Sequence, residues 1–141
     1  MDDRQRPIGF WLKHLDQLIE ATFDRTLATE RLERRHWQLL NTLRRAPHTR
    51  SALAGVLQPF WTDGGISLDE VIDDLERREW IAAAPDGRYR LTSAGEDADA
   101  RLAARVEATR HQTLNGLSTA EYEATVRTLR RMSENLQAAA G

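Results

Sequence analysis

The sequence contains no cysteine, so it has no disulfide framework, thiol nucleophile, iron–sulfur centre or cysteine-ligated zinc site. Long apolar runs are also missing. The longest are a few residues, far short of the ~20 that a membrane-spanning helix needs. Aromatic residues make up only 6% of the chain and lysine is nearly absent, Lys13 being one of the 20 basic residues. The N-terminal Met-Asp-Asp-Arg lacks the basic-then-apolar order of a secretory signal, and the expectation is a cytoplasmic protein with no membrane association. There is no Gly-rich phosphate loop, no His-Glu-x-x-His and no nucleophile beside an evident base, so the chain is not expected to be an enzyme or to carry a cofactor. His14, His36, His48 and His111 are scattered through different segments, and no metal site is expected from them.

What is present fits one domain of 141 residues, with 20 basic against 22 acidic side chains. A net charge of −2 argues at first against nucleic acid as a partner. Its distribution changes that inference. Arg31, Arg34, Arg35, Arg44, Arg45 and Arg50 gather between residues 31 and 50, whereas 67–79 is strongly acidic, with Asp69, Glu70, Asp73, Asp74, Glu76 and Glu79 against Arg77 and Arg78.

Periodicity sets the element order. Ile8, Trp11, Leu12, Leu15, Leu18, Ile19, Phe23 and Leu27 recur every three or four residues, a broad apolar stripe on a helix over 8–29, with Pro7 in its first turn. Trp37, Leu39, Leu40 and Leu43 predict a second helix over about 33–45, and Leu53 and Leu57 a third over 50–57. Gln58 to Gly65 reads as a loop with two glycines. Ser67-Leu-Asp-Glu70 has the spacing of a capping box and starts a helix with Leu68, Val71, Ile72 and Leu75 on one side. Residues 80–84 and 88–92 predict two short strands about Pro85-Asp-Gly87. A helical region from 93 breaks at Asn115-Gly116, and a second capping box, Ser118-Thr-Ala-Glu121, starts the last helix.

The expected fold is mainly α with a small β-hairpin: a winged helix-turn-helix over about 33–92, flanked by long dimerisation helices at 8–29 and 93–139, all within a single domain 1–141. A lobe of about 60 residues buries a modest core and cannot cover the long flanking stripes, so a two-fold homodimer is expected, the alternative being packing on their own subunit. Two recognition helices one DNA turn apart would then read a palindromic double-stranded operator.

Leu75-Glu-Arg-Arg-Glu-Trp-Ile81, Asp86-Gly-Arg-Tyr-Arg-Leu-Thr-Ser-Ala-Gly95 and Leu117-Ser-Thr-Ala-Glu121, in this order and spacing, resemble the multiple-antibiotic-resistance regulator (MarR) family. The resemblance covers nearly the whole chain. It implies a dimeric winged-helix transcriptional regulator, often a repressor released by a small aromatic acid bound between the dimerisation helices and the DNA-binding lobe. The chain departs from the family in three places. Asp69, Glu70, Asp73 and Asp74 stand where the family usually has Ser, Thr, Arg or Gln facing the groove. The turn at 58–66 is long, and the wing tip is short, with Arg88 and Arg90 as its cations.

Two sets of site residues follow. Arg88 and Arg90 are expected to grip phosphates or the minor groove, with Ser67, Arg77 and Arg50 on the backbone. Trp11, His14 and Leu18 on the first helix and His36, Trp37 and Leu40 on the second are expected to line an aromatic effector cleft, the alternative being core packing. The acidic helix keeps a second reading open: a winged-helix module for ligand or protein binding that has lost or weakened its hold on DNA.

Overall fold

The structure is a computed structural model in which residues 3–62 and 64–141 are described. Its elements run α1 (Ile8–Ala28), α2 (Arg34–Arg45), α3 (Arg50–Leu57), α4 (Leu68–Arg77), β1 (Ile81–Ala83), β2 (Tyr89–Leu91), α5 (Ser93–Thr113) and α6 (Thr119–Ala140). The expected mainly α fold with a two-stranded wing is what the chain forms. Its contacts gather it into two units, Met1–Val106 and Glu107–Gly141. Among the described residues no helix is long and apolar enough to cross a membrane.

The first unit is built around one apolar core. Leu39, Leu40 and Leu43 of α2, Leu53 and Leu57 of α3, and Leu68, Val71, Ile72 and Leu75 of α4 are buried together with Ile81 and Leu102. The four α4 residues fall on one side of that helix, so its opposite side is left to solvent. Pro7 is the residue before the first turn of α1, one position earlier than expected, with extended backbone at ψ 159°.

Two helix ends are closed by non-glycine residues in left-handed backbone. Arg31 has φ 57° and Glu79 has φ 63°. After α4, Glu79 N–H donates to Glu76 O at 2.9 Å and Trp80 N–H to Leu75 O at 3.0 Å, the paired bonds of a Schellman cap. Arg78 joins the two ends: its guanidinium donates to Glu30 O at 2.7 Å and Arg31 O at 2.8 Å, so the end of α4 is tied to the chain leaving α1.

The long turn between α3 and α4 is organised by Arg35. After a 3-10 turn at Gln58–Phe60, Arg35 donates to Thr62 O and Ile66 O, both at 2.7 Å, and its guanidinium lies 4.8 Å from the centre of the Trp61 ring. Gly65 has φ +80°, and a Cβ there would stand 3.3 Å from the Arg35 guanidinium.

β1 and β2 pair antiparallel, with Ile81 opposite Leu91, Ala82 opposite Arg90 and Ala83 opposite Tyr89. The base of this wing is locked to α5. Thr92 N–H donates to Trp80 O at 2.9 Å, Gly95 N–H donates to the Thr92 hydroxyl at 3.0 Å, and a Cβ on Gly95 would fall 2.0 Å from Trp80 O. Only glycine allows α5 to start this close to the wing.

The second unit carries α6. Its Ser118 cap is a full capping box: the serine hydroxyl accepts from Glu121 N–H at 3.1 Å, and Glu121 Oε1 accepts from Ser118 N–H at 3.0 Å. These bonds hold the Glu121 carboxyl below its ordinary range, the backbone N–H of Ser118 first.

Candidate nucleic-acid interface

The exposed side of α4 bears Asp69, Glu70, Asp73, Glu76 and Arg77. Ser67 fixes where the helix begins. Its hydroxyl accepts from Glu70 N–H at 3.1 Å, but the Glu70 carboxylate makes no return bond, so only half of the expected capping box forms.

Asp74 does not belong to that exposed side, a correction to its expected groove-facing place. It is turned toward α2, with Oδ2 2.9 Å from His36 Nε2 and 3.3 Å from Arg78 Nη2. His36 is 3% exposed and occupies the third position of α2, where Nδ1 accepts from Glu33 N–H at 3.0 Å and the Glu33 carboxylate accepts from the His36 N–H. A neutral ring that accepts at Nδ1 carries its proton at Nε2. His36 therefore donates to Asp74, capping α2 and holding α4 at once.

Arg50 joins three elements. From the first position of α3 it donates to Asp69 Oδ1 on α4 at 2.5 Å and to the Tyr89 hydroxyl on β2 at 3.0 Å. Both bonds raise its pKa, the one to Tyr89 more than the one to Asp69. His48 adds to the same junction, exchanging backbone hydrogen bonds with Tyr89 at 3.1 and 2.8 Å. Arg50 and His48 thus link α3, α4 and the wing through hydrogen bonds.

At the wing tip Gly87 has φ 81°, and the Asp86 carboxylate accepts from Arg88 N–H at 2.9 Å. Arg90 lies 3.3 Å from Asp86 Oδ2, whereas the Arg88 guanidinium is exposed and pairs with no described residue. Arg77, also exposed, lies 3.8 Å from Asp74. Of the five residues expected to touch DNA, Arg50 sits at the α3–α4–wing junction, Ser67 is the α4 cap, Arg77 is on the exposed side of α4, and Arg88 and Arg90 are on the wing. Tyr89, Asp69 and Asp86 were not singled out by the sequence as the groups that hold these arginines.

The expected effector residues do not converge. Trp11, His14 and Leu18 are exposed on α1, while Leu40 is 0% exposed and His36 is enclosed by the contacts above. α2 turns these two residues into the core. Trp37 is half-buried and meets Phe23 edge-on at 5.9 Å. A cleft of about 590 Å³ does lie beside α1 and α2, but Asp24, Leu27, Glu33, Arg34, Arg35 and Ile66 are among the residues that line it. Arg34 clamps α1 to α2 there through Asp24 at 2.8 Å and Glu20 at 2.6 Å; the Asp24 bond is the leading cause of its raised pKa.

No protein-family model matches the chain. Solved structures do. MepR, a transcription regulator of the multidrug efflux pump MepA of Staphylococcus aureus, superposes with a TM-score of 0.74 at 17% identity, over 93% of this chain and 99% of that one. A putative MarR family transcriptional regulator from Clostridium acetobutylicum gives a TM-score of 0.73 at 12% identity, over 93% of this chain and 98% of that one. A MarR family protein from Mycobacterium tuberculosis gives 0.66 at 20% identity, over 94% and 97%. The chain therefore has the winged-helix fold of the MarR-family transcriptional regulators, along nearly its whole length.

Proposed function

We propose that this protein is a transcriptional regulator of the MarR type, a cytoplasmic homodimer that binds a palindromic operator and acts as a repressor. The observation that carries the reading is the junction at Arg50, which ties α3, the exposed helix α4 and the arginine-bearing wing into one fixed surface. In a winged helix that surface offers a helix to the major groove and a hairpin to the backbone. Arg88 and Arg90 supply the wing's phosphate or minor-groove contacts, and Arg50, Ser67 and Arg77 the backbone contacts around α4.

Dimerisation is supported by apolar faces that the chain leaves uncovered. Ile8, Trp11, Leu12, Leu15, Leu18 and Ile19 of α1 are exposed, as are Tyr122, Val126, Met132 and Leu136 of α6. Stripes this long on a monomer mark an interaction site, and a second copy is the simplest partner. Release of the DNA by a small aromatic effector belongs to the same reading. Arg88→Ala and Arg90→Ala test the reading: each is expected to weaken DNA binding and flatten its salt dependence. Unchanged affinity in both removes the wing from the interface.

A second reading has its own observation. Arg50, Arg77 and Arg90 each face a carboxylate, and Glu70, Asp73 and Glu76 pair with no described residue. This surface also fits a module that no longer holds DNA and meets a basic partner instead. Neutralising Asp69, Glu70 and Asp73 together separates the two: DNA affinity changes strongly under the first reading and not at all under the second.

A further inference from the structure

A cleft of about 450 Å³ opens between the end of α2, strand β2 and the start of α5, lined by Leu43, Arg44, Arg90, Leu91, Glu96 and Asp99. Its size falls in the range of small-molecule sites. Asp99 is the unusual residue. It is 6% exposed, yet among the described residues its Oδ1 accepts no hydrogen bond and its Oδ2 has Arg44 Nη1 at 3.7 Å, beyond hydrogen-bond length. A buried carboxylate is costly unless hydrogen-bonded donors meet it, so the site calls for a cationic donor more closely placed than Arg44.

The rest of the lining narrows the class of ligand. Arg44 and Arg90 are both half exposed and offer guanidinium forks suited to a carboxylate. Glu96 adds a second acidic group one helical turn before Asp99 on α5, and Leu43 and Leu91 supply apolar surface. Two cations and two anions line the cleft, with Asp86 also 3.3 Å from Arg90; this mixed charge disfavours a simple anion and suits a molecule with one charge of each sign. We propose that this cleft binds a small zwitterionic amino acid with an apolar side chain. Its ammonium donates to Asp99 and Glu96, its carboxylate meets Arg44 and Arg90, and its side chain lies against Leu43 and Leu91. The site is separate from the effector residues discussed above; it shares Arg90 with the proposed wing contacts to DNA, so ligand binding is measured on the DNA-free protein.

The test is calorimetric titration of the full-length protein with L-leucine, N-acetyl-leucine, which lacks the ammonium, and leucinamide, which lacks the carboxylate. L-leucine is expected to bind, and each analogue to bind at least tenfold more weakly. Asp99→Asn and Arg44→Gln are expected to lower L-leucine affinity by a similar factor, with thermal melts confirming that each variant folds. If Asp99→Asn does not fold, the analogue series and Arg44→Gln still decide. No heat with millimolar L-leucine, equal binding of all three compounds, or full affinity in a folded Asp99→Asn overturns the proposal and leaves Asp99 as a partner of Arg44 alone.

Discussion

Replacing Asp69 by Asn removes the carboxylate that Arg50 holds at 2.5 Å while keeping the side chain's size. Both groups are substantially exposed, so the loss to folding is about 0–1 kcal/mol. The effect on DNA binding has the opposite sign. A carboxylate 6–8 Å from a phosphate at an effective dielectric near 20 is repelled by about 2–3 kcal/mol. Screening over a Debye length of about 8 Å at physiological salt leaves roughly 1 kcal/mol, about fivefold in affinity per protomer. Freed of Asp69, Arg50 meets its phosphate more fully, which steepens the salt dependence by up to about one counterion per protomer. Fluorescence anisotropy with a labelled duplex, measured at several salt concentrations, reads both quantities, and a thermal melt checks the fold. If Asp69→Asn folds normally but binds DNA no tighter than the parent protein, Arg50 and Asp69 do not face phosphate and the placement of this surface is wrong.

Other perturbations test the fold beneath the surface. Gly95→Ala places a methyl group 2.0 Å from Trp80 O, so the wing base must move; a loss of about 2–3 kcal/mol is expected by urea denaturation, and an unchanged midpoint contradicts the close approach of α5. His36→Ala removes the α2 cap and the donor to Asp74 from the core, at an expected cost of about 2–4 kcal/mol in the same assay; less than about 0.5 kcal/mol would show that the network contributes little. The Glu121 carboxyl titrates below its ordinary value, so its stabilising contribution is present above the unfolded pKa of about 4.3 and is lost as pH falls through the lower folded value. Glu121→Gln is therefore expected to melt earlier than the parent near neutral pH and to melt with it at about pH 3. A difference that persists undiminished in acid contradicts the capping role.

The elements themselves were legible because each rests on local pattern. The stripe Leu68, Val71, Ile72 and Leu75 gives both the helix and its buried side, and Ser118-x-x-Glu121 gives a cap that forms in full. Glu33-x-x-His36 has the same reciprocal geometry, but histidine in place of Glu or Gln hides it, and only the fold shows that its far nitrogen reaches Asp74, 38 residues away. The interface was less legible for the same reason. Arg50 reads as a free basic residue until Asp69 and Tyr89, 19 and 39 residues away, are brought to it. Charge counted along residues 67–79 overstated the acidity of the exposed helix face, since Asp74 is spent on His36 and Arg78 and Asp69 on Arg50. The apolar stripe of α1 was read correctly as a stripe, yet periodicity does not say whether its own subunit covers it, and here most of it stays exposed.

The central claim, that a nearly neutral protein with an acidic helix is built to hold DNA, is tested most directly by one binding series. The purified protein is titrated against a duplex from immediately upstream of its own gene at 50 and 200 mM salt. With Arg50, Arg77, Arg88 and Arg90 from each of two protomers on phosphate, affinity is expected to fall by about 10³–10⁵ between those conditions. Absence of binding even at 50 mM contradicts the account and leaves the fold to another task.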